Sequence, residues 1–449
     1  MSFPAYTDYK ATDIGWLGEV PSHWDVPPCR AIVTERTERN DEGKCNDYLS
    51  LMANVGVIPY ADKGDIGNKK PEDLTKCKVV NEGDFVINSM NYYIGSYGVS
   101  TYRGVCSPVY IVLTPSEDVI YSRYAFRIFE IGGFQQYAQS YGNGILEHRR
   151  SISWDILKTI PIPLPPPDEQ KNIASFLDSE TLKIDTLVSE QRRLIKLLQE
   201  KRRAVVSHAV TKGLDKNAPM KPSGNQWLGH VPQHWAVVSV RRVLAGIEQG
   251  WSPQCESRPA GEHEWGILKT GCVNRGVFSA TENKALPEDL EPIVEYEVKR
   301  GDVLMSRASG SSDLVGATAF VYDVRPHLML SDKTFRIHLA DTMEPEFFVA
   351  VFNSKLMRAQ IEQSISGAEG LANNLPQSKL KCFAIALPPV SEQVEIVREL
   401  ALQCKRFDTL QSEAERAIEL LRERRTALIS AAVTGKIDVR EFGSKEAAA

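Results

Sequence analysis

Two stretches of this chain concentrate side chains that can read a polar edge or hold an anion. The first contains Asn88, Ser89, Asn91, Tyr92 and Tyr93, followed by Ser96, Tyr97 and Arg103. The second contains Ser306, Arg307, Ser309, Ser311 and Ser312, with Lys333, Asn373 and Asn374 further on and Lys269 and Arg275 ahead of it. An asparagine amide offers a donor and an acceptor side by side. A guanidinium offers a planar fork, and hydroxyls act either way. That mixture suits hydrogen bonds to base edges, which select, and to phosphate oxygens, which hold. For any one of these residues the plainer alternative is a polar surface loop.

Catalytic patterns are missing or weak. A phosphate-cradling G-x-x-x-x-G-K-[ST] loop is missing, because Thr434-Gly435-Lys436 has Ser430 where the upstream glycine would stand. There is no G-x-G-x-x-G after a strand, no Gly-x-Ser-x-Gly elbow and no Asn-Pro-Pro-Tyr-like motif of amino-methyltransferases. Asp289, Glu297 and Lys299 have the residue types of a metal-dependent nuclease. The pattern is short, though, and Val79-Val80-Asn81 stands where Glu297-Val298-Lys299 recurs, so a charged strand is the simpler reading. His230 and His234 lie four apart, yet Pro232 between them prevents a shared helical face. His23 and His234 each precede a tryptophan, which reads as a packing motif.

The elements that must position the two polar stretches are themselves duplicated. Residues 15–26, GWLGEVPSHWDV, return as residues 226–237, QWLGHVPQHWAV, at an offset of 211 (227 − 16). Leu164-Pro165-Pro166 with Glu169-Gln170 returns as Leu387-Pro388-Pro389 with Glu392-Gln393, at an offset of 223 (387 − 164). Gly83-Asp84 returns as Gly301-Asp302 at 218 (301 − 83), as a turn entering a strand. Tyr9-Lys10-Ala11-Thr12 resembles Met220-Lys221-Pro222-Ser223, so the repeat is circular: region, helix, region, helix. The offset grows by 12 (223 − 211), a net insertion within the second region. A repeat this long is a duplicated domain, not a solenoid unit.

Each proline-glutamine motif opens a long helix. Prolines forbid helix before it, Asp168 and Ser391 stand as N-caps, and Gly213 and Gly435 mark the stops. A span of about 40 residues would be about 60 Å long. Apolar residues recur at alternating four and three. One seam holds Leu177, Ile184, Ile195, Leu198 and Arg202, the other Leu400, Phe407, Ile418, Leu421 and Arg425. A 3.5-residue period is that of helices winding on each other, and a chain returning to its own start pairs them antiparallel. Arg202 and Arg425 interrupt the seams at equivalent places, to set register or to face a partner.

The regions before the helices read as mixed α+β. Strands are expected at 48–52, 78–80, 84–87 and 109–114, then at 266–269, 295–298, 302–306, 317–321 and 334–339. Helices are expected near 121–137 and 345–364. The division is 1–160, a central helix 161–213, 214–385, a distal helix 386–436, and a polar tail 437–449 expected to be mobile.

With 449 residues there is room for two or three domains. The net charge of −5 and pI near 6.0 count mildly against a simple nucleic-acid coat. Between Arg192 and Arg203, however, six basic residues face one acid, Glu200. Eight scattered cysteines without a Cys-x-x-Cys pair point to reduced thiols in the cytoplasm. No apolar run approaches a membrane span, and the opening MSFPAYTDYK lacks the regions of a signal peptide.

The ordered double set of motifs, Trp16–Trp24 and Trp227–Trp235, Gly83-Asp84 and Gly301-Asp302, Leu164–Gln170 and Leu387–Gln393, resembles the specificity subunit of type I restriction-modification enzymes across nearly the whole chain. The resemblance implies two target-recognition domains, each reading one half of a split, asymmetric DNA site. It implies two paired helices acting as spacer and as dock for two methyltransferase subunits, in a pseudo-two-fold circular repeat. It implies a non-catalytic chain without a cofactor of its own, whose methyltransferase partners use S-adenosylmethionine and whose motor-nuclease partners use ATP and Mg²⁺. Asn88-Ser89-Met90 departs most, standing where Ser306-Arg307-Ala308 stands in the second copy. The competing reading is a coiled-coil scaffold that binds proteins and has no sequence-specific DNA affinity.

Overall fold

The computed structural model describes residues 3–65, 69–142, 151–274, 276–365 and 373–442. The chain forms two compact units, Met1–Gln191 with Arg416–Ala449, and Arg192–Glu415.

The first unit is built on a four-stranded antiparallel sheet in the order Val33–Glu35, Tyr110–Pro115, Phe85–Asn88, Tyr97–Val99. Phe85–Asn88 is buried along its whole length, a central strand covered on both faces. Alternate side chains leave it in opposite directions. Phe85 meets Phe126 edge-on and Phe129 at a tilt, both on the helix Ser122–Phe129, while Val86 joins Leu49, Leu51, Val80 and Val112 on the other side. A second helix, Gly132–Ser140, follows at once. The single helix expected near 121–137 is therefore two, broken at Glu130-Ile131, where Ile131 is extended and Gly132-Gly133 open the second helix.

The second unit repeats this sheet in the same order: Leu244–Gln249, Thr334–Leu339, Val303–Ser306, Thr318–Phe320. Val303 and Met305 face Phe347, Phe348 and Val351 of the helix Pro345–Phe352, and Leu304 faces Leu268, Ala319 and Leu330. The next helix, Lys355–Glu362, is separate because Ser354 caps it, accepting from the Met357 N–H at 3.3 Å. The strand expected at 295–298 is a 3-10 turn, Val294–Tyr296; it gives way to the bend before Gly301.

The repeated Gly-Asp pair is a structural turn. Gly83 and Gly301 take φ of +86° and +95°, which glycine adopts without strain. Asp84 accepts the Asn81 N–H at 2.7 Å and Asp302 the Lys299 N–H at 2.9 Å. Each carboxylate also holds a guanidinium, from Arg36 just after the strand Val33–Glu35 and from Arg336 on the strand Thr334–Leu339. Arg36 forks onto Asp84 at 2.7 and 3.0 Å, and Arg336 Nε lies 3.0 Å from Asp302.

The two long helices are Pro167–Lys212, 46 residues, and Val390–Val433, 44 residues. Asp168 and Ser391 lie inside the first turn, not at the N-cap: the first helix opens at Pro167, which has no N–H to leave unpaired, and the second at Val390. Gly213 and Gly435 end the helices with φ of +74° and +72°. In the first unit Leu177, Ile184 and Ile418 are buried, with Leu421 half-buried. In the second, Ile195, Leu198 and Phe407 are half-buried, while Leu400 belongs to the globular core with Phe347 and Ile396. Within the second unit Gly213, at the end of the first long helix, lies against Glu392 at the start of the second, so the two run in opposite directions.

The beginning of the polar tail is docked, which corrects the expectation of a mobile segment there. The Asp438 N–H donates to Pro4 O at 2.7 Å, Val439 is buried, and Phe442 meets Phe176 edge-on at 4.7 Å. Apolar side chains at 439 and 442 interrupt the polar composition and hold this turn to the first unit. Among the described residues no helix is long and apolar enough to cross a membrane.

Candidate nucleic-acid interface

In the second unit, segments far apart in sequence meet where the central strand ends. After Ser306 the chain turns, and Ala308–Ser309 pairs antiparallel with Asn373–Asn374. The Arg307 N–H donates to Lys333 O at 2.8 Å, and Arg307 O accepts the Leu375 N–H at 3.0 Å. The stretch Ser306–Ser312, Lys333 and Asn373-Asn374 are thus brought together. Ser311, Ser312 and Lys333 are exposed; Arg307, Ser309, Asn373 and Asn374 are half-buried. Arg307 lies over the Phe335 ring at 5.8 Å and donates through one guanidinium nitrogen to Asp332 O at 3.0 Å. Ser306, which the sequence offers as a ligand contact, is fully buried at the end of the central strand. Lys269 is half-buried on another turn, its N–H bonded to Glu282 O at 2.9 Å, and Arg275 lies outside the described residues.

The first unit builds the same station. The Ile152 N–H donates to Ser89 O at 3.1 Å, the counterpart of the Leu375–Arg307 bond (89 + 218 = 307; 152 + 223 = 375). Ser89 therefore stands where Arg307 stands, without the charge. Its hydroxyl meets that of Ser151 at 3.4 Å. Most of the polar side chains here hold the loop together. Asn88 Oδ1 accepts the Met90 N–H at 3.2 Å, and the buried Tyr92 hydroxyl donates to Phe129 O at 2.7 Å. Ser96 is buried, and Tyr97 is half-buried against Phe85 and Tyr92. Burial raises the Tyr92 and Tyr97 hydroxyls above the ordinary tyrosine range, so both stay neutral. Asn88, Ser89, Tyr92 and Ser96 are thus buried in the loop's own packing, and Tyr97 is half-buried. A short loop must satisfy its own buried polar groups before it can offer any outward. Asn91, Tyr93 and Arg103 remain exposed.

The duplicated framework motifs form one joint in each unit. In the first, Trp24 is fully buried and its indole N–H donates to Glu169 at 3.0 Å. The Tyr6 hydroxyl donates to the same carboxylate at 3.1 Å, and His23 Nε2 lies 2.7 Å from it. Burial first, then Glu169, raises the Tyr6 hydroxyl above its ordinary range, so it stays a donor. In the second, the Trp235 indole donates to Glu392 at 3.0 Å and His234 Nε2 lies at 2.8 Å. Gln170 accepts the Tyr121 N–H and Gln393 the Glu344 N–H, at 2.7 and 2.8 Å, tying each long helix to the residue that starts the domain helix. The histidines thus serve packing. His230 is exposed on its own short strand, and Glu297 is occupied by the His327 N–H at 2.9 Å. Among the described residues no group of three or more His, Cys, Asp or Glu side chains is placed to hold a metal ion.

Sequence reasoning missed Ser151, Ser252 and Asp332. The Asp332 N–H donates to Ser252 Oγ at 3.0 Å, and both brace the Arg307 loop. Asp332 beside Lys333 was a visible signal, but Ser252 carried none.

Residues 41–196 match the family described as type I restriction modification DNA specificity domain. The specificity subunit of the type I restriction enzyme EcoEI of Escherichia coli is 31% identical over 243 residues, 54% of this chain and 40% of that one. The EcoKI specificity subunit of Escherichia coli K12 is 22% identical over 438 residues, 94% of this chain and 90% of that one. The chain thus spans two fifths of the first relative and nine tenths of the second. A structure solved for the complex assembly and conformational transition of the type I R-M system superposes with a TM-score of 0.68. It has 15% identity and covers 93% of this chain and 99% of that one, a likeness of fold. With the double motif set built into two equivalent joints, the chain is similar to type I restriction-modification specificity subunits in sequence and in fold.

Proposed function

We propose that this chain gives a type I restriction-modification complex its DNA sequence specificity, each unit's domain reading one half of a bipartite, asymmetric site. The observation that carries this reading is the repeated station at 89/152 and 307/375, where one backbone bond presents two loops of different chemistry on one scaffold. A shared frame with divergent tips is what two readers of different half-sites require. Arg307, Ser309, Ser311, Ser312, Lys333, Asn373 and Asn374 serve the second half-site, and Asn91, Tyr93 and Arg103 the first. Lysine and arginine contacts to phosphates supply salt-dependent affinity, and the loop residues select bases.

The long helices act as an antiparallel coiled-coil ruler and dock two methyltransferase subunits. Joining two weak readers at fixed separation raises the effective concentration of the second once the first is bound. The methyltransferase partners supply S-adenosylmethionine chemistry. Motor-nuclease subunits join through the complex with ATP and Mg²⁺, and the whole acts in the cytoplasm.

The test is the methylated-base map of a methylation-free host expressing this chain with its methyltransferase subunit. A new split, asymmetric motif is expected. Exchanging residues 15–160 for those of a relative should change one half of it only, and deleting four residues from each helix should shorten the tolerated spacer. Complex formation without any new motif would refute the DNA reading and favour a protein-binding scaffold.

A further inference from the structure

The tip of the first unit's loop is apolar. Met90 is 49% exposed, Tyr93 49% and Ile94 53%. Val55, 64% exposed, stands on the neighbouring turn, which the Asn54 N–H joins to the loop by donating to Gly95 O at 2.9 Å. The two turns hold each other closely. Asn54 and Gly95 take φ of +60° and +86°, and a Cβ on Gly95 would come within 2.6 Å of Asn54 Oδ1. Tyr92 between the exposed residues anchors the loop from below through its bond to Phe129 O. Single exposed apolar side chains are ordinary, but four on two tied turns mark a contact surface. The equivalent residues of the second unit are Ala308, Ser309, Gly310, Ser311 and Ser312 (90 + 218 = 308; 94 + 218 = 312), of which Ser309 is half-buried and the last three are exposed.

The occupant follows from the station. The Ser89–Ile152 bond sets this tip where the second unit sets the Arg307 loop, so both tips address the same kind of partner. In the major groove of duplex DNA the apolar group on offer is the C5-methyl of thymine. We propose that Met90, Ile94 and Val55 read thymine methyl groups in the half-site of the first unit, whereas the second unit reads its half-site by hydrogen bonds. This rests on the DNA-reading function proposed above.

The test uses the assembled complex of this chain with its methyltransferase subunit. The half-sites are assigned by the exchange of residues 15–160, and binding is followed by fluorescence anisotropy. Each thymine of the first unit's half-site, outside the methylated base pair, is replaced in turn by uracil, which lacks only the methyl. Affinity is expected to fall about fourfold for each contacted methyl, and the same replacement in the other half-site should leave it unchanged. The triple variant Val55→Ser, Met90→Ser, Ile94→Ser is expected to bind thymine and uracil duplexes equally. Equal affinity of the unaltered complex for both duplexes overturns the proposal and assigns the tip to a protein contact, provided that complex prefers its site over a scrambled one. A half-site with no thymine outside the methylated pair overturns it too. A complex with no preference for any sequence refutes the DNA reading itself, and this inference with it.

Discussion

Arg202 of the first long helix reaches Asp408 of the second at 2.5 Å, and one repeat on, Arg425 reaches Asp185 at 3.3 Å (202 + 223 = 425; 185 + 223 = 408). The arginines that interrupt the apolar seams are therefore used twice in the same way, once in each unit. Their charge lies at the seam's edge, where each finds the aspartate of the opposite helix.

Both members of the Arg202–Asp408 pair are well exposed, so the bridge adds little stability. A double-mutant cycle with Arg202→Ala and Asp408→Ala is expected to give a coupling of about 0.5 kcal/mol in urea unfolding. Exchanging the pair, as Arg202→Asp with Asp408→Arg, should restore most of what either single reversal loses. A coupling above about 2 kcal/mol would mean the bridge is shielded from water.

Glu169 is more deeply buried than Glu392 and serves three side chains where Glu392 serves two. Glu169→Ala leaves the buried Trp24 and Tyr6 donors unpaired and should cost about 3 kcal/mol, against about 1–2 for Glu392→Ala. Thermal unfolding of the two variants checks the order; equal losses would show that burial does not decide it.

Gly435→Ala and Gly224→Ala separate backbone strain from crowding. Both glycines have φ just above +70°. A Cβ on Gly224 meets open space, whereas on Gly435 it would collide with Pro21 and stand 3.1 Å from Trp24. Gly224→Ala should cost about 1 kcal/mol, and Gly435→Ala about 2–4. Equal costs by denaturant titration would show that the Trp24 joint yields freely.

Arg307→Ala should weaken binding to the specific site by about 1–3 kcal/mol and non-specific binding much less. Lys333→Ala should weaken binding to all sequences alike and reduce the salt slope by about 1. Anisotropy titrations at several salt concentrations distinguish the two. Equal loss on every sequence for Arg307→Ala would make it a phosphate contact.

Burial pushes the thiols of Cys29, Cys106 and Cys272 up to about 12, and Cys382 is exposed. At pH 8 roughly one in ten thousand of the buried thiols is thiolate. A thiol reagent should modify Cys382 first and those three only on unfolding, read by mass spectrometry. Early labelling of Cys106 would show that the first unit opens locally.

The sequence by itself determined the duplication, the two long helices and the strands at 334–339 and 78–80, because those features rest on local periodicity, proline and glycine. It also determined that 88–91 and 306–309 are equivalent, since the Gly-Asp turn ahead of each is a short-range signal. Three-dimensional structure decided what that equivalence means. Tyr92, Ser96 and Ser306 look like ligand contacts in a list of polar residues, yet the fold turns them inward, since burial depends on partners such as Phe129 that lie far along the chain. The meeting of Arg307 with Lys333 and Leu375 is equally invisible to local pattern. The motif Leu-Pro-Pro-x-x-Glu-Gln could be read as a helix start from its prolines. That its glutamate is the acceptor for the tryptophan of the other motif, 145 residues away in the first unit, depended on the folded chain bringing a buried donor to a buried carboxylate.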